Sequence, residues 1–432
     1  MDSKLINQEI FALCERLYPI CRSITGTGVR ETLKVLSEYI PILIEEVPSG
    51  TQVFDWTVPK EWNISGAHII SPDGQKILDF ADHNLHVMSY SAPVDASMSL
   101  ATLDEHLFSL PDQPDLIPYR TSYYSEQWGF CVPHRLRQTL VEGEYKVRID
   151  SSFTQGSLTY GEIFIPGKSD QELLLSTHIC HPSLANDNLS GLACATLLAK
   201  EAQTMDLHYG LRIIFVPSTI GAITWLSQNE NKLANIVSGL VMSGLGDDGA
   251  FTYKLSKRAD GIVDRLVSGY IREGLPGRIT PFIPYGYDER QYCSPGINLA
   301  MGCLMRTPFG EYPEYHTSAD NLDFVSDKQL GDSYALVKRI IQDAQMCRTF
   351  KNENPFGEPQ LGKRGLYDAI GGDNDQKTAQ LALLWMLSSS DGATSTLDIC
   401  KSSGIDLKTL NTAAERLEAS GLISPVSAEE IS

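Results

Sequence analysis

The stretch Ser176-Thr-His-Ile-Cys-His-Pro-Ser-Leu-Ala-Asn-Asp-Asn-Leu-Ser-Gly191 decides the fold class of this 432-residue chain. The apolar run Leu173 to Leu175 leads into it and brings His178 to the end of a buried strand. Asp187-Asn188 then opens a helix, and the small residues Ser190 and Gly191 let that helix pack closely. A neutral imidazole and a carboxylate at neighbouring strand and helix ends grip one divalent cation. The stretch therefore points to a metal-dependent hydrolase.

Outward from it, strands alternate with helices. Strands are expected at Thr159 to Ile165, Glu172 to Ser176, Leu211 to Val216, Ile236 to Met242, Phe251 to Leu255 and Asn298 to Met305. Helices are expected at Leu189 to Ala202, Ala222 to Ser227, Ile262 to Arg272 and Lys328 to Met346. Near-continuous apolar strands alternating with amphipathic helices imply an α/β fold, a mostly parallel or mixed sheet sandwiched by helices. Sites in such sheets form at the carboxyl ends of strands, where His178, Ser218, Asp247 and His316 all fall.

Before this region, Ile6 to Ile44 reads as two amphipathic helices. The glycine-rich turn between them, Cys21-Arg-Ser-Ile-Thr-Gly-Thr-Gly-Val-Arg30, is either an inter-helix loop or a clamp for an anion through Arg22 and Arg30. From Thr51 to Leu140, short β-rich pieces (Gln52 to Val58, Ala67 to Ser71, Leu85 to Tyr90) suggest a small inserted β module. Its histidines at 68, 83, 86 and 106 lack ligand-like spacing and read as surface or packed residues. The aromatic run Pro118 to Phe130 reads as inter-domain packing, with a pocket wall as the alternative. A linker from Asn352 leads to three short helices and an extended end, the pattern of a winged helix. Its third helix carries Asp406, Lys408, Glu415, Arg416 and Glu418, a poor set for phosphate contacts, so packing or homo-oligomer formation is expected rather than DNA binding.

The net charge of −19 argues against sequence-independent nucleic-acid binding and against a polybasic membrane surface. No run of about 18 apolar residues is present, and no secretory signal is visible at the start. Nine scattered cysteines form no CxxC pair and read as reduced cytoplasmic thiols.

Four further pieces complete a candidate site: Phe215-Val-Pro-Ser-Thr-Ile-Gly-Ala222, Ser243-Gly-Leu-Gly-Asp-Asp-Gly249, Tyr287-Asp-Glu-Arg-Gln-Tyr-Cys-Ser-Pro-Gly296 and Glu311-Tyr-Pro-Glu-Tyr-His-Thr-Ser-Ala-Asp320. In this order they resemble the M28-type zinc aminopeptidase superfamily. The resemblance is closer to an aminopeptidase-like family with an inserted N-terminal β module and a C-terminal winged helix, and it covers nearly the whole chain. It implies a catalytic domain of 1–50 plus 141–355, an inserted β domain of 51–140 and a winged-helix domain of 356–432. It also implies a metal pair in which His178 and Asp247 bind one ion, His316 the other, and Asp187 bridges both. Such a pair polarises a carbonyl and delivers hydroxide. One or two zinc ions are expected, and the same donors also suit manganese or cobalt.

Two departures matter. Cys180 stands where the superfamily has an aspartate that orients the first histidine, which leaves Cys180 or His181 as alternative ligands. More sharply, Ser218-Thr219 replaces two glutamates, the first of them the general base. A hydroxyl cannot hold that proton near neutral pH, and losing such a base removes about 10²–10⁴-fold in rate. Three readings follow: a non-hydrolytic relative, a replacement carboxylate such as Glu289, Glu311 or Glu314, or an engineered change. Ser218 itself lacks the Gly-x-Ser-x-Gly setting of a nucleophile and an assignable His–Asp relay. Asp288 or Glu289 would bind a substrate ammonium and Arg290 a carboxylate, with Arg22 and Arg30 as further anchors; an internal ion pair is the alternative.

The reading that results is a metal-dependent, aminopeptidase-like amide hydrolase. It would act on a small aminoacyl or peptide-like substrate, as in a biosynthetic pathway. Its alternative is a catalytically inactive binding or scaffold relative that keeps the metal cleft.

Overall fold

Leu173, Leu174 and Leu175 are at most 1% exposed, and the strand they build lies inside an eight-stranded sheet. The computed structural model describes residues 3–366 and 374–426. These residues fall into two compact units, one within Met1–Pro166, Glu172–Asp206 and Gly210–Val337, the other within Gly167–Gln171, Leu207–Tyr209 and Lys338–Ser432.

The sheet of the first unit comprises β1 (Leu43–Pro48), β2 (Ser157–Ile165), β3 (Glu172–His178), β4 (Gly210–Val216), β5 (Ile236–Met242), β6 (Phe251–Lys254), β7 (Gly277–Thr280) and β8 (Met301–Met305). Their spatial order is β1-β2-β4-β3-β5-β8-β6-β7. The central strands β4, β3, β5 and β8 are parallel; β1, β2 and β6 join antiparallel, so the sheet is mixed. Every residue of β3 and of β4 is buried, which explains why both read as unbroken apolar runs. Truncating one such leucine to alanine costs about 2–5 kcal/mol.

The exception inside β4 is Arg212, whose guanidinium donates to Glu172 on β3 at 2.6 and 2.9 Å and also to Glu162 on β2. Glu162 in turn accepts from Trp225 Nε1 at 2.6 Å. Removing the arginine would strand two buried carboxylates, a loss of about 3–5 kcal/mol.

The helix Ser190–Ala202 packs so closely that a Cβ at Gly191 would lie 2.6 Å from Thr177 Oγ1 on β3, as the small residue implies. The two N-terminal helices are Ser3–Leu17 and Thr27–Leu36; the residues after them form the edge strand β1 rather than more helix.

The β-rich insert folds around Glu61–Ile70, which pairs antiparallel with Lys76–Asp79 and with Glu144–Thr154. Val94–Ser99 lies on the outer side of Glu144–Thr154. Ile69, Tyr145, Val147 and Phe130 form its core. Leu85–Tyr90, expected as a strand, is a 3-10 turn at Asn84–His86 followed by irregular chain, because His83 Nδ1 caps it by accepting from Leu85 N at 3.1 Å.

In the second unit, helices Asn374–Ser389, Thr396–Ser403 and Leu407–Ala419 pack around Phe350, Met386, Leu410 and Leu417. Strands Thr349–Asn352, Asp391–Ser395 and Ile423–Pro425 complete the winged-helix arrangement. The 356–432 domain also spans 367–373 and 427–432, which lie outside the described residues. No described helix is long and apolar enough to cross a membrane.

Candidate metal centre

At the carboxyl edge of β3 the chain places three imidazoles around one carboxylate. His178, the last residue of β3, has Nε2 2.9 Å from Asp187 Oδ1. His316 Nε2 lies 3.0 Å from Asp187 Oδ2, and His181 Nδ1 lies 3.1 Å from the same oxygen. Asp187 is fully buried, in a loop whose backbone leaves helical geometry at φ −111° just before the helix Ser190–Ala202. Asp320 holds that loop, accepting the amide protons of Asn186 at 2.5 Å and of Asp187 at 3.0 Å. Asn188 Nδ2 steadies His178, 3.3 Å from Nδ1, while bonding Thr177 Oγ1 at 2.8 Å.

Aromatic rings fix the imidazoles. Tyr287 stacks on His178 with centroids 5.2 Å apart, and Tyr315 stacks on His316 at 3.9 Å. His316 sits at φ +56°, a left-handed conformation that a non-glycine residue keeps only where its surroundings enforce it. Tyr119, whose amide donates to His316 O at 2.7 Å, is part of that enforcement.

The electrostatics suit a cation. Burial holds His178 and His316 below the usual imidazole range, so both keep lone pairs available. Burial opposes the charge on His181 as well, but the Asp187 carboxylate prevails and raises its pKa. Burial likewise opposes ionisation of Asp187, yet His181 and His178 hold its carboxyl well below the usual range. A buried charge of this kind is paired or coordinates a metal. The ligand atoms of His178, His181 and Asp187 lie within 4.8 Å of one another. Nitrogen and carboxylate oxygen are the donors zinc takes, so the residues fit a divalent ion.

Among the described residues, Asp247 makes no hydrogen bond to these imidazoles. Its carboxylate accepts from Asn186 Nδ2 at 2.9 Å, Gly249 N at 2.8 Å and Thr307 Oγ1 at 2.7 Å, which binds the β5 loop to the β8 loop. His181, named in the sequence only as an alternative ligand, lies beside His178 with ring centroids 4.8 Å apart. Cys180 does not: burial pushes its thiol up to about 12, and Sγ faces Ser218 O at 3.8 Å.

The centre opens into a cavity of about 390 Å³ lined by Tyr119, Tyr123, Tyr285, Tyr315, Arg120 and Arg290, among others. The segment at Tyr119–Tyr123 is thus a pocket wall. Of the sequence-nominated anchors, Arg290 lines the cavity, and its Nε is buried without a hydrogen-bond partner among the described residues. Arg22 is instead buried structure, donating from Nε to His181 O at 2.9 Å and from a terminal nitrogen to Leu17 O at 2.8 Å. Arg30 is held by both oxygens of Glu61 at 2.7 Å and by Glu46 at 2.5 Å. Glu289 is ion-paired with buried Lys254 at 2.5 Å. Ser218 lines the cavity, and its hydroxyl donates to Asp288 Oδ1 at 2.9 Å.

The family described as a domain of unknown function, DUF4910, matches residues 11–346, which span the sheet, the insert and the metal centre. The chain belongs to the DUF4910 family. Beyond the DUF4910 region, residues 348–425 match a winged helix-turn-helix domain. A Clostridium acetobutylicum protein named for polysaccharide biosynthesis and an aminopeptidase-like domain is 48% identical over 410 residues, 95% of this chain and 94% of its own. A crystal structure of a candidate peptidase from the same organism matches at TM-score 0.87 and 46% identity, covering 98% of both chains. A zinc aminopeptidase of Bacillus subtilis matches at TM-score 0.58 and 11% identity, over 78% of this chain and 95% of its own. The DUF4910 region therefore has the zinc-aminopeptidase fold, with the winged helix appended, as the motifs imply.

Proposed function

We propose that this protein is a divalent-metal-dependent amide hydrolase acting on a small aminoacyl or peptide-like substrate. The observation that carries this reading is the convergence of His178, His181 and His316 on buried Asp187 at the mouth of an aromatic cavity. His178, His181, Asp187 and His316 would hold the ion, with zinc the first candidate. When bound, such an ion supplies Lewis acidity toward a carbonyl and acidifies water. The chain's own residues do the rest. Asp320 and Asn188 keep the ligands oriented, Tyr287 and Tyr315 shield the imidazoles, and the tyrosine walls limit the water around a bound amide. Arg290 offers a donor for a substrate carboxylate.

A biosynthetic setting is supported by the name of the Clostridium relative, and a cytoplasmic one by cysteines in the thiol form. Homo-oligomer formation through the winged helix is proposed because its third helix balances Lys408 and Arg416 with Glu415 and Glu418, a poor set for phosphate contacts. A second reading, a cleft that binds without turnover, is favoured by Ser218 at the expected position of the base.

Elemental analysis of metal per chain, with assays of wild type and Ser218→Glu on aminoacyl anilides and a panel of small amides, tests the proposal. Bound metal with hydrolysis created or raised by Ser218→Glu supports it. Absence of metal from both proteins overturns it, and metal with ligand binding but no turnover in either leaves the second reading.

A further inference from the structure

We infer that Asp288 is the proton acceptor of this site and works through the Ser218 hydroxyl, a serine-bridged replacement for a directly placed carboxylate. The inference rests on the hydrolase reading above. Ser218 faces the cavity beside His178 and His181; Asp288 does not line it and is 1% exposed. The 2.9 Å hydrogen bond from Ser218 Oγ to Asp288 Oδ1 joins the cavity to the buried carboxylate. Asp288 also occupies the N-cap position of the helix Glu289–Tyr292, where an aspartate ordinarily accepts from the helix backbone, yet its side chain makes no capping bond. A carboxylate turned away from its local structural task and toward a cavity-lining hydroxyl calls for another role.

Two other carboxylates named in the sequence face cations. Glu289 is ion-paired with Lys254, and Glu311 with Arg278 at 2.5 Å. Burial raises the Asp288 carboxyl to about 7, opposed by the Ser218 bond, which matches its proton affinity to work near neutrality.

The step balances. An O–H bond of the attacking water breaks and its proton joins Ser218 Oγ. The Ser218 O–H bond breaks in the same event and its proton joins Asp288 Oδ1. The water oxygen forms the new bond to the amide carbonyl carbon as the C=O π pair moves onto the carbonyl oxygen, and that pair re-forms the C=O bond as the C–N pair leaves on nitrogen. When the C–N bond breaks, the proton returns from Asp288 through Ser218 to the departing nitrogen. Serine ends as it began, and no acyl-enzyme forms.

The test compares Asp288→Asn, Ser218→Ala, Ser218→Glu and the double variant Ser218→Glu/Asp288→Asn. Metal content and melting temperature are recorded for each. Asp288→Asn and Ser218→Ala should each lower kcat by about 10²–10⁴-fold with KM and metal content unchanged. In Ser218→Glu the carboxylate acts directly, so adding Asp288→Asn should change kcat less than threefold. An equal loss from Asp288→Asn in both backgrounds overturns the inference, since that is how a structural residue behaves. Unchanged kcat in Asp288→Asn overturns it too. A Ser218→Glu protein without activity, with a wild-type acyl adduct in mass spectrometry, overturns it in favour of nucleophilic serine. Failure of every protein to turn over any amide would overturn the hydrolase reading itself, which separates that failure from the others.

Discussion

Asp320 reaches across 133 residues of sequence to accept the backbone N–H of Asp187 at 3.0 Å. One buried carboxylate thereby aims another. Partners of this kind, which orient a ligand without touching the metal, are typically worth 10–100-fold in metal affinity. Asp320→Asn keeps the shape but exchanges an acceptor for a donor at one of the two amides. Zinc affinity should fall by about that factor, read by competition with a chromogenic chelator.

The placement of Asp247 yields a direct contrast. Asp187→Asn should abolish metal binding, because the carboxylate is shared by all three imidazoles. Asp247→Ala should retain full metal per chain and instead destabilise the fold by about 1–3 kcal/mol, the cost of leaving buried donors unpaired. Elemental analysis and urea denaturation separate the two effects.

His181 and Cys180 are neighbours with opposite expectations. His181→Ala should weaken zinc binding, while Cys180→Ser should leave stoichiometry unchanged. The wild-type Cys180 thiol, buried and held up to about 12, should resist iodoacetamide at pH 7.5 in the folded protein and react only on denaturation.

Asp288 also has a signature in stability. Burial raises its carboxyl to about 7 in the folded state, above the value of about 3.9 in an unfolded chain. Between those values the folded form binds more protons than the unfolded, so this group's contribution is greatest below pH 4 and is lost as pH rises toward 7. Urea midpoints of the metal-free protein at pH 5 and pH 8 should differ less in Asp288→Asn than in wild type.

Arg290→Ala should raise KM for amides bearing a free carboxylate and leave KM for their neutral methyl esters unchanged. Steady-state kinetics on matched pairs measures this. Equal effects on both members would remove Arg290 from substrate recognition.

Much of this was legible in the chain. Strand β3 declared itself by its apolar run, and His178, Asp187 and His316 by their flanking strings; the three converge within hydrogen-bond distance. The rest depended on which way a side chain turns once the chain is folded. Arg22 and Arg30 have the composition of an anion clamp, but nothing local reveals that the His181 carbonyl and the Glu61 carboxylate lie closer than any ligand. Asp247 sits at the right strand end, and only the fold shows that Asn186, Gly249 and Thr307 all donate to its carboxylate. The bond between Ser218 and Asp288 joins loops 70 residues apart, so no spacing rule marks it.

The inserted module gives Tyr119, Arg120 and Tyr123 to the cavity, and its Tyr119 and Ile117 bond to the backbone of the loop that carries His316. Part of the cavity wall is therefore drawn from a stretch of chain separate from the one that carries His178 and Asp187. Substitution of Tyr119, Arg120 or Tyr123 would reshape this wall while His178, at the end of its buried strand, stays in place. What the cleft admits and what holds its proposed ion could then change independently.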